Sequence, residues 1–211
     1  MKNRGGETKS AIRQEALTQF CRLGYHEANL EDIGHALGIT RSAILFHFGT
    51  KADLLAEIVR PLEEDLDRIL GRNPDERALP PGRRRRFLGE LISCFLEHRA
   101  AASLVVGTGN NHLPDEIETG ARARIARCRV LLAGPRPTAH DRVVLGALTG
   151  VMTRPLLDPQ LDVADPWTHA LLLDASLHLA RRLGQRPEVA ETPAVTGNSP
   201  EWSHSLLPIS E

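Results

Sequence analysis

The stretch LEDIGHALGITRSAILFHF, residues 30–48, constrains the fold more than any other part of the chain. It contains two short apolar-periodic segments joined at Gly38, and Gly34 lies four positions earlier. In a helix-turn-helix unit the two axes cross closely, so a small residue is needed where the second helix packs, and Gly34 fits that place. Gly38 is expected to leave the first helix through a left-handed conformation, which glycine adopts without penalty. The pattern predicts two short helices joined by a tight turn.

Capping residues predict where the helices around this unit begin. Asn29 precedes LEDI with Asp32 three residues on, Thr40 precedes the next segment, and Thr50 has Asp53 at its capping-box position. Such side chains accept hydrogen bonds from the free backbone N–H groups of a first helical turn. An earlier helix is predicted from about Glu7 to Leu23, with a single apolar stripe formed by Ile12, Ala16, Phe20 and Leu23.

The second short helix leaves one face free to contact a partner. A helix of this kind lies in the DNA major groove with its N-terminal residues over base edges. Arg41 is the best candidate for a bidentate guanine contact, Ala43 suits a thymine methyl, and Thr40 and Ser42 suit a base or a phosphate. Helix N-termini near Asn29 and Lys51 direct backbone N–H groups at phosphates. The predicted DNA-facing surface also includes Phe46.

Composition excludes several other classes of protein. The chain has 211 residues, 25% charged residues and a net charge of −1, values typical of a globular protein with any basic surface confined to one face. Its three cysteines form no CxxC pair. The N-terminus carries no apolar signal segment, and Val143 to Met152 is too short to span a bilayer. We therefore expect a cytoplasmic protein without a cofactor or a metal site.

The rest of the chain also has helical periodicity. The fourth helix contains Pro61, where a kink is expected, and Gly71 to Gly82 is predicted to be a loop at the seam between two halves. Helices are predicted around residues 87–96 and 100–106, and from Pro114 to Leu132, Thr138 to Leu157 and Asp165 to Leu183. From Gln185 onward the composition predicts a disordered tail.

The last two helices predict a dimer surface. The segment Leu171 to Leu183 is apolar on more than one side, so it needs cover both from its own domain and from a partner. The helix before it carries Gly146 and Gly150, four residues apart, which permit close approach of another helix. Trp167 is interpreted as a packing anchor. A helix internal to a monomer remains the alternative.

Several other features have both a structural and a functional interpretation. Lys2, Arg4, Lys9 and Arg13 form either a DNA-binding arm or a solvated terminus, and Arg83–Arg86 is a solvated helix start or a DNA contact. Cys128 lies among arginines that stabilise a thiolate, as in a redox sensor, or it is an inert thiol. Histidines without metal-ligand spacing are interpreted as surface or core residues; they are His98, His112, His140, His169 and His178.

Residues 8–60 resemble the DNA-binding domain of the TetR family of transcriptional repressors. The resemblance rests on Gly24-Tyr25, the cap before LEDI, the DIGHALGIT core, FHF at Phe46–Phe48, and TKADLL at the start of the fourth helix. It implies that Phe48 packs into the small core, that His47 and Lys51 each face a phosphate, and that the Phe46 ring lies near the DNA backbone. Leu45 stands where the family commonly carries a phosphate-contacting tyrosine, and Ala28-Asn29 replaces the usual small pair at the second cap.

Together these features predict an all-α protein with a three-helix DNA-binding domain in residues 1–50, a helical ligand-binding and dimerisation domain in 51–184, and a disordered tail in 185–211. The expected function is that of a dimeric, ligand-responsive repressor of a palindromic DNA operator, with an unidentified small-molecule effector. The alternatives are a ligand-independent architectural DNA-binding protein and an enzyme with an appended DNA-binding domain. The second half carries no GxSxG, no P-loop and no metal spacing, and we expect no catalytic residues.

Overall fold

The computed structural model describes residues 4–74, 76–106 and 113–185. Over these residues the regular structure is α-helix with one short 3₁₀ turn, Arg154–Leu157, and contains no strand. This confirms the all-α prediction. The helices are α1 (Arg4–Leu23), α2 (Leu30–Leu37), α3 (Arg41–Phe48), α4 (Lys51–Gly71), α5 (Pro81–Glu97), α6 (Arg99–Val106), α7 (Asp115–Ala133), α8 (Ala139–Thr153) and α9 (Pro166–Ala180).

The predicted caps fix the starts of the short helices. The Asn29 side chain accepts a hydrogen bond from the Asp32 backbone N–H at 2.7 Å, and Thr40 Oγ1 accepts from the Ala43 N–H at 3.2 Å. Thr50 and Asp53 form a reciprocal capping box at the start of α4. Each cap satisfies donors that a first helical turn leaves free, so α2 and α3 are well defined although each has only eight residues.

The two glycines of the turn have the predicted roles. A Cβ added to Gly34 would lie 2.7 Å from the Ile39 carbonyl oxygen, so only glycine allows the chain entering α3 to approach this closely. Gly38 has φ of 66°, in the left-handed region that favours glycine. These contacts hold α3 across α2 and thereby orient the face that α3 presents to the outside.

The stripe predicted on α1 is buried except at its last position. Ile12, Ala16 and Phe20 are fully buried in the N-terminal core, together with Ile33 and Ile44 from the next helices. The side chain of Leu23, in contrast, is 41% exposed. The prediction is wrong there because α1 ends at Leu23 and the chain turns away through Gly24, with φ of 85°.

Helix α4 contributes to two hydrophobic clusters. Its first half, including Leu54, Leu55 and Val59, packs with α1, α2 and α3, whereas Leu62 and Ile69 belong to the larger C-terminal cluster. The change from one cluster to the other therefore occurs along α4, and not at the loop that follows it, where the sequence predicted a seam. The helix continues through Pro61; the kink at this residue, like the domain boundary at residue 50, stays a prediction.

Helices α5 to α9 form the C-terminal half, in which α9 packs on both α5 and α8. Arg84 donates from its guanidinium to the carbonyl of Ala180 at 3.0 Å, so the start of α5 is joined to the end of α9. Thr138 and Asp141 form a capping box at the start of α8. The Asp141 carboxylate also accepts a hydrogen bond from the Gly184 N–H at 2.8 Å. The arginine run at 83–86 thus includes a structural residue at a helix start.

The last two helices are shorter than predicted. The expected helix from Thr138 to Leu157 ends as α-helix at Thr153 and continues as the 3₁₀ turn. The cause is Pro155, which lacks the N–H that an α-helix would bond and whose ring clashes with the preceding turn. The expected helix from Asp165 to Leu183 is α9, with Asp165 as its N-cap and a turn after Ala180.

The predicted disordered tail from Gln185 onward lies outside the described residues, except Gln185 itself. Within residues 4–74, 76–106 and 113–185, no helix is long and apolar enough to cross a membrane.

Candidate nucleic-acid interface

Helix α3 buries one side and exposes the other. Ile44 is fully buried and Phe48 is 7% exposed, so these two side chains fix the helix to the N-terminal core. Phe46, on the opposite side, is 87% exposed, the largest exposed fraction among the large apolar residues described. The outer face is polar at its N-terminal end and aromatic at its C-terminal end. It consists of the exposed Thr40, Arg41, Ser42 and Phe46, with the half-buried Ala43 and His47 beside them.

Arg41, the predicted guanine-binding residue, is paired with α2 across the turn. Its Nε lies 3.3 Å from Glu31 Oε1, and the two side chains are 57% and 63% exposed. Exposed pairs of this kind contribute about 0–1 kcal/mol because water and salt screen them. The contact therefore orients the guanidinium, but it is weak enough for Arg41 to exchange Glu31 for another acceptor.

The ammonium of Lys51 is held beside the N-terminus of α4. Its Nζ donates to the His26 carbonyl oxygen at 3.1 Å and lies 4.6 Å from the centre of the Tyr25 ring. Partial burial lowers the pKa of Lys51, and the negative charge of Glu27 opposes this change. Burial, followed by the charge of Asp53, raises the pKa of Tyr25. These contacts place a fixed cation at a helix start.

Asn29 is used fully as a cap. Its Oδ1 accepts from the Asp32 N–H at 2.7 Å, and its Nδ2 donates to Asp32 Oδ2 at 2.7 Å. Both polar ends of the amide are thereby occupied within the chain. Asn29 retains one N–H of its side-chain amide, and the first turn of α2 adds free backbone N–H groups that can contact an anion.

The structure brings Asn29, Arg41 and Lys51 to one concave surface. They line a cleft of about 480 Å³ between the starts of α2, α3 and α4. Positive side chains and helix N-termini at the same cleft attract anions such as phosphates. The other predicted contact residues lie along α3 itself, with His47 between the rings of Phe46 and Phe48 at centroid distances of 5.6 and 6.4 Å.

The basic residues of α1 have partners on α4. Lys9 and Arg13 both reach Glu57, at 3.2 and 3.8 Å, and the Lys9 ammonium lies 5.1 Å from the centre of the Phe48 ring. They are therefore neither a free arm nor a frayed terminus. Arg4 begins α1, and Lys2 lies outside the described residues. Sequence reasoning missed the roles of Glu31 and Glu57 because these three ion pairs join different helices, so no spacing along one helix reveals them.

The C-terminal half contains two small adjoining cavities of about 80 and 60 Å³. The residues that line both are Phe95, Val106, Ile125 and Cys128. Burial raises the pKa of the Cys128 thiol to about 12, so the thiolate that neighbouring arginines suggested is not formed at neutral pH. Apolar side chains form most of the walls of these cavities, and Cys128 contributes its thiol to both.

Helices α8 and α9, which pack on one another, both expose large apolar side chains. Val143, Trp167 and Leu171 are 73%, 74% and 66% exposed. Gly146 and Gly150 face open space, since an added Cβ at either position meets no atom within 4 Å. The sequence suggested that Trp167 is a packing anchor, but its exposure shows that it does not have this role within its own chain. The surface formed by Val143, Gly146, Gly150, Trp167 and Leu171 is called the α8–α9 face below.

The N-terminal half matches a known family of regulators. Residues 12–58 fit the model of the bacterial regulatory proteins of the tetR family. The chain is 33% identical over 80 residues to the probable HTH-type transcriptional regulator ArpR of Pseudomonas putida, and the match covers 38% of each chain. It is 35% identical over 68 residues to the regulator AcrR of Shigella flexneri, covering 32% of each chain. The matched part thus spans about two fifths or less of the length of each of these two relatives.

Solved structures resemble the whole fold. A TetR-family regulator from Streptomyces coelicolor A3 superimposes with a TM-score of 0.64 at 18% identity, covering 80% of this chain and 88% of that one. A second, from Bordetella parapertussis 12822, has a TM-score of 0.61 at 18% identity and coverages of 87% and 97%. At such identities the likeness shows the fold alone. Residues 12–58 therefore match the N-terminal region of the TetR family of transcriptional regulators, which confirms the resemblance found in the sequence.

Proposed function

We propose that this protein is a ligand-responsive repressor that binds a palindromic DNA operator as a homodimer in the cytoplasm. The observation that carries the proposal is the outer face of α3, which the caps of α2 and α3 and the fit at Gly34 hold in one orientation. In this proposal Thr40, Arg41, Ser42 and Ala43 contact base edges. Asn29, Phe46, His47 and Lys51 contact the backbone of the same half-site.

The α8–α9 face supports the dimer. Trp167 and Leu171 are large apolar side chains left in water, and Val143 extends the same surface onto α8. Exposed apolar patches of this kind mark interaction sites, and a second copy offers the matching surface by two-fold symmetry. Two copies joined there would present two α3 helices to successive half-sites about 34 Å apart or beyond.

The two apolar cavities support a small-molecule effector. Arg124 lines the second cavity, and its guanidinium holds two carboxylates of α4: Nη1 lies 2.7 Å from Glu63 Oε1 and Nη2 lies 2.8 Å from Asp67 Oδ2. A ligand that enlarges the cavity would move α7 and this pair, and α4 begins at Lys51 beside α3. A ligand that prefers one state by about 100-fold shifts the equilibrium by about 2.7 kcal/mol.

Selection of bound fragments from random DNA with the purified protein tests the proposal. We expect an inverted repeat in which each half carries the same short consensus, bound by two copies of the chain. A consensus without two-fold symmetry would contradict the dimeric operator, and no enrichment at low salt would contradict specific DNA binding. Binding with weak sequence preference and no small-molecule response would favour the architectural alternative.

A further inference from the structure

A cluster of three possible metal ligands lies away from α3, between α4 and α5. It consists of Asp65 on α4, Cys94 on α5, and His98 at the C-cap of α5. The carboxylate, sulfur and imidazole nitrogen atoms all lie within 4.8 Å of one another. Cys94 is 4% exposed, and the side chains of Asp65 and His98 are 20% and 19% exposed. The three groups therefore converge in a largely enclosed place.

From this convergence we infer that Asp65, Cys94 and His98 form a site for a divalent transition-metal cation of the zinc class. Thiolate, imidazole and carboxylate together are the donors that zinc prefers, whereas magnesium and calcium prefer oxygen donors alone. Three protein ligands leave a fourth position for water or another ligand. The metal would join α4 to α5 near the middle of the C-terminal half.

Metal binding requires only small movements of the three side chains. The Asp65 carboxylate and the His98 Nε2 atom lie 2.8 Å apart in a direct hydrogen bond. In a tetrahedral zinc site, bond lengths of about 2.0–2.3 Å put ligand atoms about 3.3–3.8 Å apart. The pair must therefore open slightly and the sulfur must approach, movements of about 1 Å within side chains that already face one another.

The surroundings include groups that orient and complete such a site. Arg68 pairs with Asp65 Oδ1 and leaves Oδ2, the atom that meets His98, as the metal-facing oxygen. Hydrogen bonding to a ligating carboxylate is a usual way of fixing its orientation. The side chain of Glu97 lines the adjoining cleft of about 410 Å³ and makes no hydrogen bond or ion pair within the described residues. Its carboxylate, which directly precedes His98 in the sequence, is the candidate for the fourth ligand position.

Binding replaces the proton of the thiol. Burial, with the charges of Asp65 and Glu97, raises the pKa of Cys94 to about 12, so the free side chain is a neutral thiol at pH 7. When the sulfur–metal bond forms, the S–H proton passes to solvent, and the sulfur donates its electron pair to the cation. No oxidant or reductant takes part.

The sequence carries one signal for this site. Cys94 and His98 are four residues apart on α5, so both lie on one helical face. The pair is neither two histidines at such spacing nor a CxxC motif. Asp65 was invisible to any spacing rule because it lies 33 positions before His98 on another helix.

Titration of the metal-free full-length protein with Co²⁺ and Zn²⁺ in a thiol-free reductant tests the inference. We expect one equivalent of Co²⁺ to give a thiolate-to-metal charge-transfer band and the visible bands of four-coordinate cobalt, both removed by Zn²⁺ but not by Mg²⁺. Cys94→Ser should abolish the charge-transfer band. His98→Gln and Asp65→Asn should each weaken Zn²⁺ binding by more than about tenfold, measured by chelator competition.

The other two cysteines provide the matched control. A double variant with Cys21→Ser and Cys128→Ser should keep the band and the zinc affinity of the parent protein, while circular dichroism checks that every variant is folded. Absence of the band in the parent protein, its persistence in Cys94→Ser, or its loss only in the double variant would overturn the site. If His98→Gln and Asp65→Asn both bound zinc as tightly as the parent protein, the site would also be overturned. The three residues would then be only a hydrogen-bonded link between α4 and α5.

Discussion

The outer face of α3 and the α8–α9 face are both exposed, but they are built from opposite chemistry. The α3 face carries hydroxyls, a guanidinium and one aromatic ring on a helix whose start and crossing are fixed by Thr40 and Gly34. The α8–α9 face carries the large apolar side chains of Val143, Trp167 and Leu171. The first suits a charged, hydrogen-bonding groove, and the second suits a surface like itself. In the proposed function, the α3 face would supply DNA specificity and the α8–α9 face would supply self-association.

Placing a charge on the α8–α9 face should have the largest effect on DNA binding. Leu171→Glu would bury carboxylates opposite one another in the proposed dimer, which is unfavourable without partners. We expect a monomer by analytical ultracentrifugation and a loss of operator affinity of about 100-fold or more, since the two half-sites are no longer bound together. Unfolding free energy should change by less than about 0.5 kcal/mol because Leu171 is 66% exposed.

The matched control is Leu23→Glu, since Leu23 is also an exposed leucine but lies at the end of α1. It should remain as dimeric as the parent protein. A dimeric Leu171→Glu variant would show that this face does not join two copies.

Adding one methyl group at the crossing of α2 and α3 should have the next largest effect. Gly34→Ala puts a Cβ 2.7 Å from the Ile39 carbonyl oxygen, a backbone atom that moves only with α3. We expect a loss of about 1–3 kcal/mol in urea unfolding, as for other overpacked sites, and a further loss of DNA binding as α3 shifts. Gly82→Ala, where an added Cβ meets nothing within 4 Å, should be neutral or slightly stabilising. Equal stability of Gly34→Ala and the parent protein would contradict the tight crossing.

Two cations at the DNA-facing cleft should separate base recognition from backbone attraction. Arg41→Ala should reduce discrimination at one operator position by about 1–3 kcal/mol, measured by binding to single-base variants of the operator. Lys51→Ala should weaken binding to all sequences alike and lower the slope of log K against log[salt] by about 0.9. The same uniform loss in both variants would remove Arg41 as a base-reading residue.

Acid should weaken the C-terminal half through Asp141. Its carboxylate accepts from the Gly184 N–H and from Thr138, and these bonds lower its pKa. The stabilisation is therefore complete above the unfolded-state pKa of about 3.9 and is lost as pH falls through the lower folded-state value. Asp141→Asn should cost about 1–3 kcal/mol at pH 7 in urea unfolding. If the difference in unfolding free energy between Asp141→Asn and the parent protein did not decrease as pH falls, the loss of stability would not be due to the Asp141 charge.

Features encoded within a short stretch of chain were predicted correctly. The caps at Asn29, Thr40 and Thr50 act over three residues, and Gly38 acts through its own backbone angle. These are local effects, so the sequence alone was enough to place α2, α3 and the start of α4 and to indicate which side of α3 stays free. The same reasoning was wrong at Leu23, because the burial of that side chain depends on whether another helix covers it.

Only the tertiary structure decided which distant residues meet. Arg41 with Glu31, Arg124 with Glu63 and Asp67, and the cluster of Asp65 with His98 all join separate helices. It also decided that the pKa of the Cys128 thiol is raised, because the side chain is buried. Helix positions follow from the hydrogen bonds of a few neighbouring residues, which the sequence carries. Packing partners and the electrostatics of buried groups depend on how whole helices are arranged in space, which no single segment encodes.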